Sequence, residues 1–103
     1  MDAHLKDSHL ERAHLERAHL RGTFLKGAHL ERAYLEGADL EGAYLMDASL
    51  KSAYLMDAHL KGAHLERAHL EGAHEVTQDQ INSAVGDAYT KLPVGIVRPG
   101  SWK

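Results

Sequence analysis

Leucine recurs at every fifth residue from Leu5 to Leu70, and that interval restricts the backbone more than any composition could. Residues 3–72 form fourteen copies of one five-residue unit, with Ala two places before each Leu except at Ser8 and Thr23. In an α-helix of about 3.6 residues per turn, a step of five rotates the side chain by roughly 140°. The leucines would then circle the axis and leave no apolar face. In a plain strand side chains alternate with period two, so an odd step would send successive leucines to opposite sides. Neither regular structure accommodates the pattern.

A short extended piece followed by a corner does. In Ala-x-Leu the outer residues point inward and the middle one outward. The two residues after Leu then turn the chain so that the next Ala points inward again. The second corner position holds Gly22, Gly27, Gly37, Gly42, Gly62 and Gly72, together with Asp7, Asp47, Asp57 and Ser52. These residue types favour turns. Arg12, Arg17, Arg32 and Arg67 are exceptions, and there the turn is expected to suit an ordinary residue. Repeated corners wind a solenoid whose backbone groups bond to the coil above and the coil below.

The A-x-L-x-x unit resembles the pentapeptide-repeat family over nearly seventy percent of the chain. The resemblance implies an all-β solenoid, a right-handed quadrilateral parallel β-helix with four units per coil and about 3.5 coils. It also implies that Leu is the central inward residue and Ala the small inward residue beside it. One departure is plain: the slot before Leu, often Asp or Asn in the family, keeps that type only at Asp39 and otherwise favours His. With four units per coil, residues twenty apart stack at about 4.8 Å. Leu5, Leu25, Leu45 and Leu65 make one internal column, and Leu10, Leu30, Leu50 and Leu70 another.

The repeat occupies residues 1–76, and residues 77–103 close the same domain. Thr77-Gln78-Asp79-Gln80 reads as a capping box, with Thr77 as N-cap and Gln80 reaching back to it. Ile81, Ala84 and Val85 follow at helical spacing and Gly86 reads as a stop, so a short α-helical cap is expected over about 78–85. The cap would lay Ile81 and Val85 over Leu60, Leu65 or Leu70, covering an end that would otherwise expose leucines and unpaired edges. The apolar, proline-punctuated stretch from Leu92 to Trp102 would run back along the side of the rod, with Trp102 supplying contact area. At the other end Leu5, Leu10, Leu15 and Leu20 frame an exposed coil. This predicts a homodimer through the uncapped first coil; a fraying first coil and a chain cut from a longer parent are the alternatives.

All nine histidines (His4, His9, His14, His19, His29, His59, His64, His69, His74) take the outward slot before Leu, or its equivalent at 74, and Phe24, Tyr34, Tyr44 and Tyr54 share it. Stacking by twenties puts His9 beneath His29, Phe24 beneath Tyr44 and then His64, and Tyr34 beneath Tyr54 and then His74. The column His19, Asp39, His59 holds ligand types for divalent transition metals. However, its spacing comes from the repeat, and parallel side chains do not converge as a closed site does. Packing of flat rings on their neighbours is the simpler account, and no metal ligand is assigned. Stacked imidazoles would also repel once protonated below about pH 6. The column Arg21, Glu41, Lys61 alternates in sign, whereas Glu11, Glu31, Lys51, Glu71 is mostly acidic, as solvated faces often are.

A formal charge of −3 gives no attraction to nucleic acid or membrane, and the absence of cysteine excludes disulfide and thiol chemistry. There is no basic-then-apolar leader and no apolar run of transmembrane length, so a cytoplasmic location is the expectation. Neither a nucleotide loop nor a nucleophile–base motif is present, and no cofactor is implied. An interior filled by leucine leaves no catalytic pocket. The expected function is therefore a non-enzymatic structural or protein-interaction module with an unidentified protein partner. The alternative is a DNA-mimicking gyrase modulator, a role known for some members of the family. That role needs a long acidic rod, unlike this short chain with Arg12, Arg17, Arg21, Arg32 and Arg67.

Overall fold

The computed structural model describes residues 4–103. Residues twenty apart form parallel bridges from His4↔Phe24 through Tyr54↔His74, so four units complete one coil. Pairing is confined to isolated bridges at the slot before Leu, and no continuous strand forms among the described residues. Each side of the coil is too short for more, because a corner follows within two residues.

The corners share one geometry. At every unit the N–H three residues after Leu returns to the Leu carbonyl at 2.9–3.1 Å. The second corner residue has φ between 58° and 70° at all fourteen corners, and the first does not adopt positive φ. This is the signature of a type II turn. Arg12, Arg17, Arg32 and Arg67 are no exception, contrary to the expectation from residue type: all lie at φ 58–59°. The stack decides this. A corner of another shape would lose register with the coils above and below, so the arginines accept a left-handed conformation that costs about 1–2 kcal/mol each.

Inside, Leu25 through Leu70 are at most 2% exposed, and the alanines from Ala28 to Ala68 fill the space beside them. The two departures from Ala fit locally. Ser8 Oγ donates to the Leu5 carbonyl at 2.6 Å, and Thr23 is buried.

The coil ends at Glu75. There a positive φ, 63°, falls on the slot that leucine holds in every earlier unit, and the chain leaves its path. Helix α1, Gln78–Ser83, follows with the expected capping box: Thr77 Oγ1 accepts from Gln80 N–H at 3.2 Å, and Gln80 Oε1 accepts from Thr77 N–H at 2.8 Å. Ile81 is fully buried, whereas Val85 is 41% exposed and lies outside the helix. The expectation that Val85 would cover the leucines is therefore corrected. Ala84 is already extended, and Val85 continues the coil by bridging His64. Its N–H donates to Ala63 O at 2.8 Å and its carbonyl accepts from Leu65 N–H at 2.7 Å.

The same edge is answered again six residues later. Lys91 bridges His69, donating to Ala68 O at 2.9 Å and accepting from Leu70 N–H at 2.8 Å. Strict register would place residues 84 and 89 at these two positions, so the pairing slips by one and then by two. The α1 segment and the turn at Asp87–Thr90 absorb the extra residues. Earlier on this edge Gln80 Nε2 donates to Leu55 O at 2.7 Å and to Ala58 O at 3.0 Å, and between the two pairings Thr90 Oγ1 donates to Leu65 O at 2.8 Å. The tail does not run back along the rod. It folds on the closing segment, where Gln78 clasps Val97 through both amide atoms and Arg98 donates to the carbonyls of Asp87 and Thr90. Trp102 is buried over Gly86. A Cβ on Gly86 would lie 2.6 Å from Trp102 Cδ2, so glycine is required there by close approach of the ring, not as a helix stop.

Candidate interaction surface

The outward slots form ordered ladders. His4, Phe24, Tyr44 and His64 stack in one column and His14, Tyr34, Tyr54 and His74 in another. Successive ring centroids lie 4.5–5.0 Å apart with planes within 14° of parallel. This spacing is the coil rise itself, so the backbone positions the rings and their attraction follows. His9 stacks on His29 in the same way.

Five histidines also face a carboxylate two residues on, across the turn from the slot before Leu to the slot after it. The Nδ1–Oε2 distances are 3.3 Å for His9–Glu11 and His14–Glu16, 3.5 Å for His64–Glu66 and His69–Glu71, and 3.6 Å for His29–Glu31. A hydrogen bond from its own backbone, then the neighbouring histidine, holds the Glu11 and Glu16 carboxyls below their ordinary value.

The column His19, Asp39, His59 is stacked as expected, but its carboxylate is committed elsewhere. Asp39 Oδ1 accepts from Glu41 N–H at 3.1 Å, and Oδ2 takes Arg21 Nη2 at 2.9 Å. The backbone donor first, and then the guanidinium, lower the Asp39 carboxyl. A second ladder joins Asp47, Arg67 and Asp87. Arg67 Nε donates to Asp47 at 2.9 Å, and Arg67 N–H donates to Asp87 at 3.1 Å. Burial opposes the charge on Asp87, but donation from Arg67, Tyr89 and Thr90 outweighs it and keeps that carboxyl low.

Of the four leucines expected at the open end, Leu5, Leu10 and Leu15 are half-buried, while Leu20 is buried at 9% exposure. The chain climbs about one strand spacing per coil. Leu20 closes the first coil nearly level with Leu25, whereas the other three stand lower. Among the described residues, the N–H groups of His9, His14 and His19 have no backbone acceptor. Their counterparts one coil up, on His29, Tyr34 and Asp39, donate downward at 2.8–2.9 Å. At the opposite end Thr77 and Gln80 form the capping box, Ile81 and Trp102 are buried, the latter against Gly86, and Val85 serves as an edge residue.

Sequence reasoning missed Lys91 and Thr90, whose signal is a backbone pairing with no pattern of its own. Around α1 two shallow depressions of about 310 and 360 Å³ share Ala58, His59, Thr77 and Gln80, both open to solvent. Tyr89, Val94 and Val97 are exposed on the closing segment. Among the described residues no helix is long and apolar enough to cross a membrane.

The sequence model of the family described as "Pentapeptide repeats" matches eight copies here, over residues 1–37, 13–51, 25–62 and 53–74. This chain belongs to the pentapeptide-repeat family. Proteins of the family form right-handed quadrilateral β-helices, and two solved members align with this one. The pentapeptide repeat protein Rfr23 of the cyanobacterium Cyanothece 51142 is 30% identical with a TM-score of 0.80, over 87% of this chain and 60% of its own. The pentapeptide repeat protein alr5209 of Nostoc PCC 7120 is 32% identical with a TM-score of 0.52, over 86% of this chain and 77% of its own. The chain thus spans 60% of the length of Rfr23. Nothing matches among curated proteins.

Proposed function

We propose that this pentapeptide-repeat chain is a non-enzymatic interaction module, a short rigid rod that displays columns of side chains to a protein partner and pairs with a second copy through its first coil. The carrying observation is the division of labour between slots. Leucine and alanine fill the interior, while rings and charged groups are held outward at one repeated spacing. A surface so constrained loses little side-chain freedom on association, which favours binding. Pairing through the first coil is supported by the half-buried Leu5, Leu10 and Leu15 and by the downward-facing N–H groups beside them. A second copy would cover both, as closed symmetric contacts do.

Sedimentation equilibrium tests the pairing. Dimer is expected at high micromolar concentration, with Leu10→Glu monomeric and still folded by circular dichroism. A strict monomer at that concentration overturns it. A supercoiling assay separates the two functional readings. Inhibition of gyrase by the intact chain would replace this reading with that of a topoisomerase modulator.

A further inference from the structure

Two arginines pair with acidic side chains outside their own units. Arg21 serves Asp39 and Glu41, and Arg67 serves Asp47 and Asp87. Two acidic pairs stack directly with no guanidinium paired to them among the described residues, Glu16 beneath Glu36 and Glu11 beneath Glu31, and only the second has a histidine on both coils beside it. Glu11 lies directly beneath Glu31 in the column that follows His9 and His29, and Lys51 above them forms no ion pair with Glu31. Like charges stacked at sheet spacing repel. What faces this pair is imidazole: His9 Nδ1 at 3.3 Å from Glu11 and His29 Nδ1 at 3.6 Å from Glu31, with the two rings parallel at 4.8 Å.

The four side chains converge in a way the other histidine–glutamate pairs do not. One ligand atom from each of Glu11, His29 and Glu31 lies within 4.8 Å of the other two. Glu31 Oε1 is buried and has no hydrogen-bond partner among the described residues, a state it shares with Glu36 Oε1 and Glu66 Oε1, so the convergence of the three ligand atoms is what sets this cluster apart. By contrast, Tyr44 and Met46 lie beneath His64 and Glu66, so that pair meets no second carboxylate.

We propose that Glu11, His29 and Glu31 form a binding site for a divalent transition-metal ion of the zinc type. One imidazole nitrogen and two carboxylate oxygens are ligands that suit such an ion, and a water completes the tetrahedron. In a tetrahedron, bonds of about 2.0–2.2 Å hold ligand atoms about 3.3–3.6 Å apart. Atoms that lie within 4.8 Å of one another therefore close by up to about 1.5 Å, which a change of side-chain torsion in two partly exposed glutamates supplies. The ion supplies the positive charge that the stacked carboxylates lack. His9 takes no place in the donor set; its hydrogen bond orients Glu11, as outer partners of metal ligands do. Because the site spans coils one and two, its occupation would pin the first coil to the second.

Titration calorimetry of the intact chain with zinc chloride at neutral pH tests the site. One saturable equivalent is expected, weakened at least about tenfold in Glu11→Gln and in Glu31→Gln, substitutions of equal size that preserve the coil. His64→Asn, in a pair without a second carboxylate, is expected to leave this affinity unchanged. Zinc should also raise the melting midpoint of the natural chain and not that of Glu31→Gln, since an ion bound only to the folded state stabilises it. Absence of saturable zinc binding would overturn the proposal, as would equal weakening by His64→Asn and Glu31→Gln, which would mark diffuse binding to exposed histidines.

Discussion

The repeat and the closing segment face one physical demand and meet it in opposite ways. Between successive coils, edge N–H and C=O groups are answered by a like unit about twenty residues away, and no single side chain is specialised for the task. In residues 77–103 nothing recurs. The same groups are answered one at a time, by Val85, Gln80, Thr90 and Lys91. Repetition spreads stability over many equivalent positions, whereas closure concentrates it in a few that have no substitute.

Breaking the comparison begins in the rod. Leu40→Ala should cost about 2–5 kcal/mol in chemical denaturation, since the site is fully enclosed. Leu35→Ala and Leu45→Ala should match it if the coils are equivalent, while Leu10→Ala, half-exposed on the first coil, should cost markedly less. In the closing segment Gly86→Ala should cost about 1–3 kcal/mol by displacing Trp102, and a blue-shifted indole fluorescence that moves to the red would report it.

Gln80→Leu keeps the volume but leaves the Ala58 carbonyl unanswered and the Leu55 carbonyl with only its corner bond from Ala58 N–H. A loss of about 1–3 kcal/mol is expected, with amide exchange accelerated in the last coil and not in the middle ones. Acid should act on both regions together. The Asp39 and Asp87 carboxyls are lowered by folding, so their contribution is complete above the ordinary carboxylate value near pH 4 and is lost as pH falls below it. Melting midpoints should therefore fall below about pH 4, less steeply in Asp87→Asn.

The smallest effect sharpens the comparison most. Arg32 sits at φ 59° and makes no side-chain hydrogen bond or ion pair among the described residues. Arg32→Gly should stabilise by up to about 1 kcal/mol, the left-handed penalty less the entropy of glycine. Arg67→Gly should not, because Arg67 holds Asp47 and Asp87. Equal melting shifts for the two would show that corner strain outweighs the charge ladder.

Local signals carried well. The capping box at Thr77 and Gln80 is written within four residues and formed as read. The column partners of His9, Phe24 and Tyr34 followed from the period together with the coil size that the family resemblance implied. Where the reading erred, a distant partner decided. Helical spacing drew Val85 into the cap, but an unpaired edge at Ala63 and Leu65 drew it into the coil. Glu11 and Glu31 read as an ordinary solvated face, because the sequence places side chains in columns without showing where their tips converge.

By itself, then, the sequence determined the coil. A period of five, with leucine inside and turn residues outside, calls for a solenoid of short sides and corners, while four units per coil and the right hand were what the family resemblance implied. The tertiary structure decided everything that depends on unlike neighbours. It set the left-handed corners imposed on arginine, the register slips that let a non-repeating tail complete the edge, and the meeting of Glu11, His29 and Glu31 across two coils. The physical reason is the range of the interactions: a repeat encodes its contacts in its own period, and a terminus or a side-chain cluster does not.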